Sequence, residues 1–193
     1  MRRRDVLAGL GSLGVVGAGA AVAINGLPSP SSGSETDDTN TTDDTTTVSG
    51  PVTIQTLDAP GSTAGEVSLP AADQPTFIDF FATWCDPCEE QMPALAEAHD
   101  RLGNDVLFIS VTTEPVGRFM DKSKVIDWWQ TNNGNWSLGI DPDQHLASAL
   151  LRGKIPYAVA IDTSGTVQWS DQGIKTADQL VSGIERALEP GGQ

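Results

Sequence analysis

The run Thr76-Phe77-Ile78-Asp79-Phe80-Phe81-Ala82-Thr83-Trp84-Cys85-Asp86-Pro87-Cys88 decides the fold of this chain. Its first half, Thr76 to Ala82, is apolar at nearly every position and has strand length. A strand with one wet face would alternate, so a continuous apolar run points to a central strand covered on both faces. A helix is expected directly after the cysteines, from about Pro87 to Leu102. Met92, Leu95, Ala96 and His99 have helical spacing, and Gly103-Asn104 ends it. Cys85 then falls at the N-cap region and Cys88 one turn in. Free backbone N–H groups and the helix dipole favour a thiolate at Cys85. A separation of three puts both sulfurs on one face, within bridging reach. Pro87 suits the first turn, where its missing N–H costs nothing. Asp86 opposes the thiolate if its charge lies close to Cys85, and has little effect if it points to solvent.

The chain has only two cysteines in 193 residues. A structural disulfide scaffold would need more of them, spread along the sequence. Zinc would need further ligands, and the histidines are His99 and His145 alone. The strand–turn–helix setting therefore favours dithiol redox chemistry. Cys85 is the exposed attacking sulfur and Cys88 the shielded one that resolves a mixed disulfide.

Upstream, Val52 to Leu57 and Glu66 to Leu69 read as a lead-in hairpin around Pro60-Gly61 and Gly65. Residues 28–50 are a Ser/Thr/Asp-rich stretch with almost no apolar side chain, unable to offset its ordering entropy, and read as a disordered linker. Residues 1–27 begin Met1-Arg2-Arg3-Arg4-Asp5-Val6-Leu7 and continue as a mildly apolar Gly/Ala-rich run to Ile24, a pattern like that of a twin-arginine export signal. Ala21-Val22-Ala23 offers a cleavage site. The run also approaches bilayer-spanning length, so cleaved signal and retained anchor both stand. Either places the domain, residues 51–193, outside the cytoplasm and limits membrane contact to the N-terminal segment. Asn40 and Asn135 match the short acceptor pattern for N-glycosylation.

Downstream, Val106 to Thr112 is a second buried strand, Val125 to Gln130 a helix, and Leu138 to Ile140 a short strand. Gln144 to Leu151 is a helix, Tyr157–Asp162 and Thr166–Ser170 a hairpin, and Ala177 to Leu188 a closing amphipathic helix. The order β-α-β-α-β-α-β-β-α after the lead-in predicts an α/β domain with a central mixed sheet flanked by helices. Trp128, Trp129, Trp136 and Trp169 are expected to serve packing, and neither histidine is expected to be a ligand. The formal charge of −15 excludes nucleic-acid and anionic-lipid partners, which need clustered Lys and Arg. Acids outnumber bases inside the domain as well as in the linker, which favours a solvated surface suited to high salt, as in a halophile.

The segment Phe77 to Cys88, followed by Glu89-Glu90-Gln91-Met92-Pro93-Ala94-Leu95, resembles the thioredoxin superfamily, most of all its exported TlpA/ResA-like branch. Ile140-Asp141-Pro142-Asp143, Ile155-Pro156 and Ala160-Ile161-Asp162 with Gly165 extend the likeness over roughly residues 52–189. The resemblance implies a thioredoxin-like fold with an N-terminal β-hairpin and a TlpA-type insertion over about Val116 to Leu138. It implies that Pro156 is cis and packs against the disulfide, that the Ile155 backbone pairs with extended substrate, and that Trp84 covers the disulfide. It also implies that Asp79 is a buried acid accepting the Cys88 proton; burial would raise its pKa toward neutrality. The strand of Phe108-Ile109-Ser110-Val111 lacks the lysine that thioredoxin places near this acid, so proton handling differs. No cofactor is implied.

The function expected is reduction of disulfides in exported proteins, apocytochrome c among them, with electrons from a membrane thiol carrier. A disulfide-forming oxidant is the alternative, as is a metal-binding or metallochaperone module of the same fold. The short cysteine spacing and the lack of a suitably placed histidine count against the last. A peroxidase would need a peroxidatic motif.

Overall fold

A computed structural model describes residues 47–189, which belong to one compact unit. The export segment expected at residues 1–27, nearly all of the linker expected at 28–50 and Asn40 lie outside the described residues.

Eleven elements follow in chain order. They are β1 (Val52–Thr56), β2 (Gly65–Leu69), β3 (Thr76–Phe81), α1 (Asp86–Leu102), β4 (Leu107–Thr112), α2 (Lys122–Thr131), β5 (Ser137–Ile140), α3 (His145–Leu150), β6 (Tyr157–Ile161), β7 (Val167–Gln172) and α4 (Ala177–Leu188). They form a seven-stranded mixed sheet of order β2-β1-β5-β4-β3-β6-β7. β3, β4 and β5 run parallel; β1, β2, β6 and β7 join antiparallel. The thioredoxin-like α/β fold with its N-terminal hairpin is the one expected.

β3 is buried at all six positions because it lies inside the sheet and both its faces are covered. Its alternation sorts the side chains. Phe77 and Phe81 enter the core under α1, α2 and α4, together with Cys88, Met92, Leu95, Trp129, Trp136 and Ile184. Ile78 and Phe80 enter the opposite core, under α3, with Ile109, Val111, Leu146 and Val159. Asp79 shares the parity of Phe77 and Phe81 and so points toward the α1 side.

Local signals explain where the helices start. α4 opens with a capping box: the Gln179 N–H donates to Thr176 Oγ1 at 3.3 Å, and the Thr176 N–H donates to Gln179 Oε1 at 2.9 Å. The Asp141 carboxylate accepts from the backbone N–H groups of His145 and Ala147, both at 3.0 Å, which gives the Asp141-Pro142-Asp143 segment its role at the start of α3. Gly165 takes φ +82° in the turn between β6 and β7. Around that turn Asp162 accepts from Ser164, Thr166 and Gln168.

The lead-in hairpin also touches the inserted segment. Trp129 Nε1 donates to the Pro60 carbonyl at 3.0 Å, and the Leu138 N–H donates to Ser62 Oγ at 3.0 Å. Gly61, at φ +74°, comes so close that an added Cβ would fall 2.0 Å from the Asn135 carbonyl carbon. Only glycine fits there.

Candidate active site

β3 ends at Phe81, and the chain turns through Ala82-Thr83-Trp84 into α1. The turn is held by a group that the sequence reading passed over. Glu114, buried just beyond β4, accepts from the Thr83 N–H at 2.7 Å and from Thr83 Oγ1 at 2.9 Å, and Thr112 Oγ1 donates to it at 3.1 Å. The Cys85 N–H donates to the Ala82 carbonyl at 3.1 Å. The backbone before the cysteines is thus tied both to the neighbouring strand and to itself.

Cys85 is the N-cap of α1, and Pro87 lies in the first turn, where its lack of an N–H breaks no helical bond. The Cys85 carbonyl accepts from the N–H groups of Cys88 and Glu89. Cys85 and Cys88 are joined as a disulfide with Cα atoms 5.2 Å apart. Both are largely buried, at 6% and 2% exposure. Cys85 therefore does not stand free on the surface; it lines a groove, and Cys88 does not line that groove.

The groove has a volume of about 580 Å³. One wall is Trp84, Cys85 and Pro87; the other is Gly153, Lys154 and Ile155. Trp84 is 71% exposed and lines the groove beside Cys85. The Ile155–Pro156 peptide is cis and Pro156 is buried. Ile155 precedes Tyr157, the first residue of β6 to pair with a neighbour, and so stands at the open end of the strand.

Asp79 is buried on β3, at 2% exposure. Burial pushes its pKa from 3.8 to about 7, and a hydrogen bond from Ser110 works in the opposite direction. Ser110 is the residue paired with Asp79 across the β3–β4 ladder, and its Oγ donates to Asp79 Oδ2 at 3.1 Å. The sequence reading noted Ser110 only as not being a lysine. The register of two parallel strands, which turns this serine into a partner, follows from the folded sheet.

A profile of the AhpC/TSA family matches residues 53–170, a stretch that includes both cysteines, Asp79 and Pro156. The chain belongs to the AhpC/TSA family. Within this family setting its distant relatives include Sporulation thiol-disulfide oxidoreductase A of Bacillus subtilis, 24% identical over 115 residues, covering 60% of this chain and 69% of that protein. Thiol-disulfide oxidoreductase ResA of Geobacillus kaustophilus is 29% identical over 116 residues, covering 58% of this chain and 60% of the relative. A shorter match to chloroplastic thioredoxin Y of rice is 37% identical over 46 residues, 24% of this chain and 27% of that one. This AhpC/TSA chain thus spans between about a quarter and two thirds of the length of these relatives. The crystal structure of Bacillus subtilis StoA superposes with TM-score 0.58 at 21% identity, covering 68% of this chain and 94% of that one. At that identity the likeness speaks for the fold.

Proposed function

We propose that this protein is an extracytoplasmic thiol–disulfide oxidoreductase that reduces disulfides in exported proteins. The observation that carries the reading is the Cys85–Cys88 disulfide at the start of α1, with Cys85 lining a groove that Ile155, the residue before the cis Pro156, also lines. Its resemblance to proteins named as thiol-disulfide oxidoreductases supports the same chemistry.

In the reduced enzyme the Cys85 thiolate, favoured by the helix N-terminus, attacks one sulfur of a substrate disulfide. A mixed disulfide forms and the other substrate sulfur leaves as a thiolate. Cys88 then loses its proton to Asp79 and attacks the Cys85 sulfur. The second substrate thiol is released, and the Cys85–Cys88 disulfide is restored. Asp79 suits the transfer because an acid with a pKa of about 7 holds and releases a proton near neutrality. Ile155 lends its backbone to an extended stretch of substrate, Pro156 shapes the groove beside the sulfurs, and Trp84 offers an aromatic edge for the substrate chain.

Two electrons must return to the disulfide, and a membrane thiol carrier is the donor we assign. The export segment at residues 1–27 supports placing the domain at the outer face of the membrane, and the linker of residues 28–50 gives it reach. Apocytochrome c cysteines are the substrate class we favour. The deciding experiment is the reduction potential of the Cys85–Cys88 pair against a thiol buffer. A value near about −270 mV supports a reductase; a value near about −120 mV turns the protein into a disulfide donor.

A further inference from the structure

Asp79 does not stand alone in the core. Ser110 Oγ donates to Asp79 Oδ2 at 3.1 Å, and Trp136 Nε1 donates to the same Ser110 Oγ at 2.9 Å. Asp79 and Trp136 are 2% exposed and Ser110 is fully buried, so water does not compete for these bonds. An indole N–H can only donate, and a serine hydroxyl has a single proton. Once the indole occupies one lone pair of Ser110, the hydroxyl proton is free for the acceptor on its other side. The chain therefore runs one way, from indole to hydroxyl to carboxylate, and each bond polarises the next. A chain that ends on an acceptor suits a carboxylate better than a protonated acid.

Trp136 is held firmly enough to impose this order. Its ring meets Phe108 edge-on at 5.6 Å and Trp129 edge-on at 4.8 Å, and His99 lies 5.7 Å away. It reaches the core from the segment between α2 and β5, and the Gly61 backbone packs closely against Asn135, the residue just before it.

We propose that Trp136 is a positioning residue for proton transfer at the dithiol: it fixes the Ser110 hydroxyl as a donor to Asp79 and so favours the carboxylate that takes the Cys88 proton. The catalytic consequence rests on the role given to Asp79 above. The hydrogen-bond chain can be tested without it.

The other groups around Asp79 leave the chain little competition. From α1 the same core receives the Cys85–Cys88 pair, and His99 stands behind Trp136 with its own pKa lowered by burial. β6 places Ala158 opposite Asp79. α2 and α4 contribute Val125, Trp129, Leu180 and Ile184, all apolar. No charged side chain contributes to the raised pKa of Asp79.

The test is an NMR titration of the full-length protein in its disulfide form, following the Asp79 carboxyl carbon and the Trp136 indole N–H. In the unsubstituted protein the indole signal should move with the Asp79 midpoint, and Asp79→Asn should abolish that movement. Ser110→Ala should raise the midpoint by about one unit, the worth of one hydrogen bond to a charged group. Trp136→Phe should raise it by about half a unit, the double variant no further than Ser110→Ala alone. Ser110→Thr, which keeps a hydroxyl, should restore it. An unchanged midpoint in Trp136→Phe, additive shifts in the double variant, or an indole movement that survives Asp79→Asn and so reports His99, each overturns the proposal. If Trp136→Phe does not fold, the indole titration and Ser110→Ala decide. Asp79→Asn with undiminished disulfide reduction would instead sink the role of Asp79. A normal Asp79→Asn defect beside an unmoved Trp136→Phe midpoint sinks only the positioning role.

Discussion

At the scale of single residues, the proposed function gives the two cysteines different tasks although both are buried. Cys85 lines the groove and Cys88 is absent from its lining. Cys85→Ser should abolish disulfide reduction. Cys88→Ser should leave the first attack intact and accumulate a mixed disulfide with substrate, visible as a covalent adduct by mass spectrometry that dithiothreitol removes; no adduct would contradict the order of attack. Asp79 links chemistry to stability. Its pKa is raised from 3.8 to about 7 by burial, so the folded chain binds this proton more tightly than the unfolded one. The stability it confers is fully present below about pH 4 and is lost as pH rises toward about 7. Asp79→Asn should therefore stabilise the protein at pH 8, by as much as about 4 kcal/mol, with a much smaller difference at pH 4. The same substitution should slow the resolving step. Urea denaturation at the two pH values, run beside an activity profile, checks both effects.

At the scale of elements, the site depends on contacts between segments far apart in sequence. Glu114 sits 31 residues beyond Thr83 and yet holds the turn into α1 with two hydrogen bonds. Glu114→Ala leaves the partly buried Thr83 N–H without its acceptor and should cost about 1–3 kcal/mol. Glu114→Gln keeps one acceptor oxygen and should cost less; equal losses for the two would argue against this account. Gly61 joins the lead-in hairpin to the segment before Trp136. With φ at +74° and backbone 2.0 Å from a would-be Cβ, Gly61→Ala is strained twice over and should cost about 2 kcal/mol or more, read as a lower thermal midpoint. The start of α4, by contrast, is set locally by its capping box, and the helix runs over Ala177–Leu188, the bounds expected from its amphipathic pattern.

At the scale of the whole molecule, the formal charge of −15 makes self-repulsion a general destabilising term. Salt screens it, so the thermal midpoint should rise steeply as ionic strength goes from about 0.1 M to 1 M and the screening length falls from about 10 Å to 3 Å; a flat response would show that the acids are well dispersed. Periodicity and apolar runs alone were enough to locate the elements near the site, because a strand dry on both faces and a helix with a stop signal are local patterns. The motif Trp84-Cys85-Asp86-Pro87-Cys88 likewise announced its chemistry, since two cysteines three apart at a helix start have few other uses. Exposure did not follow from the motif. How far Trp84 stands in water, and whether Cys85 is open or sunk in a groove, is decided by segments such as Gly153–Ile155 that only the fold brings to the same groove. Nor could Glu114, Ser110 and Trp136 be read as site residues, because each acts through a partner brought close by strand register or loop docking. A hydrogen bond between residues 26 or 31 positions apart exists only once the sheet has chosen its register and the core has closed around it.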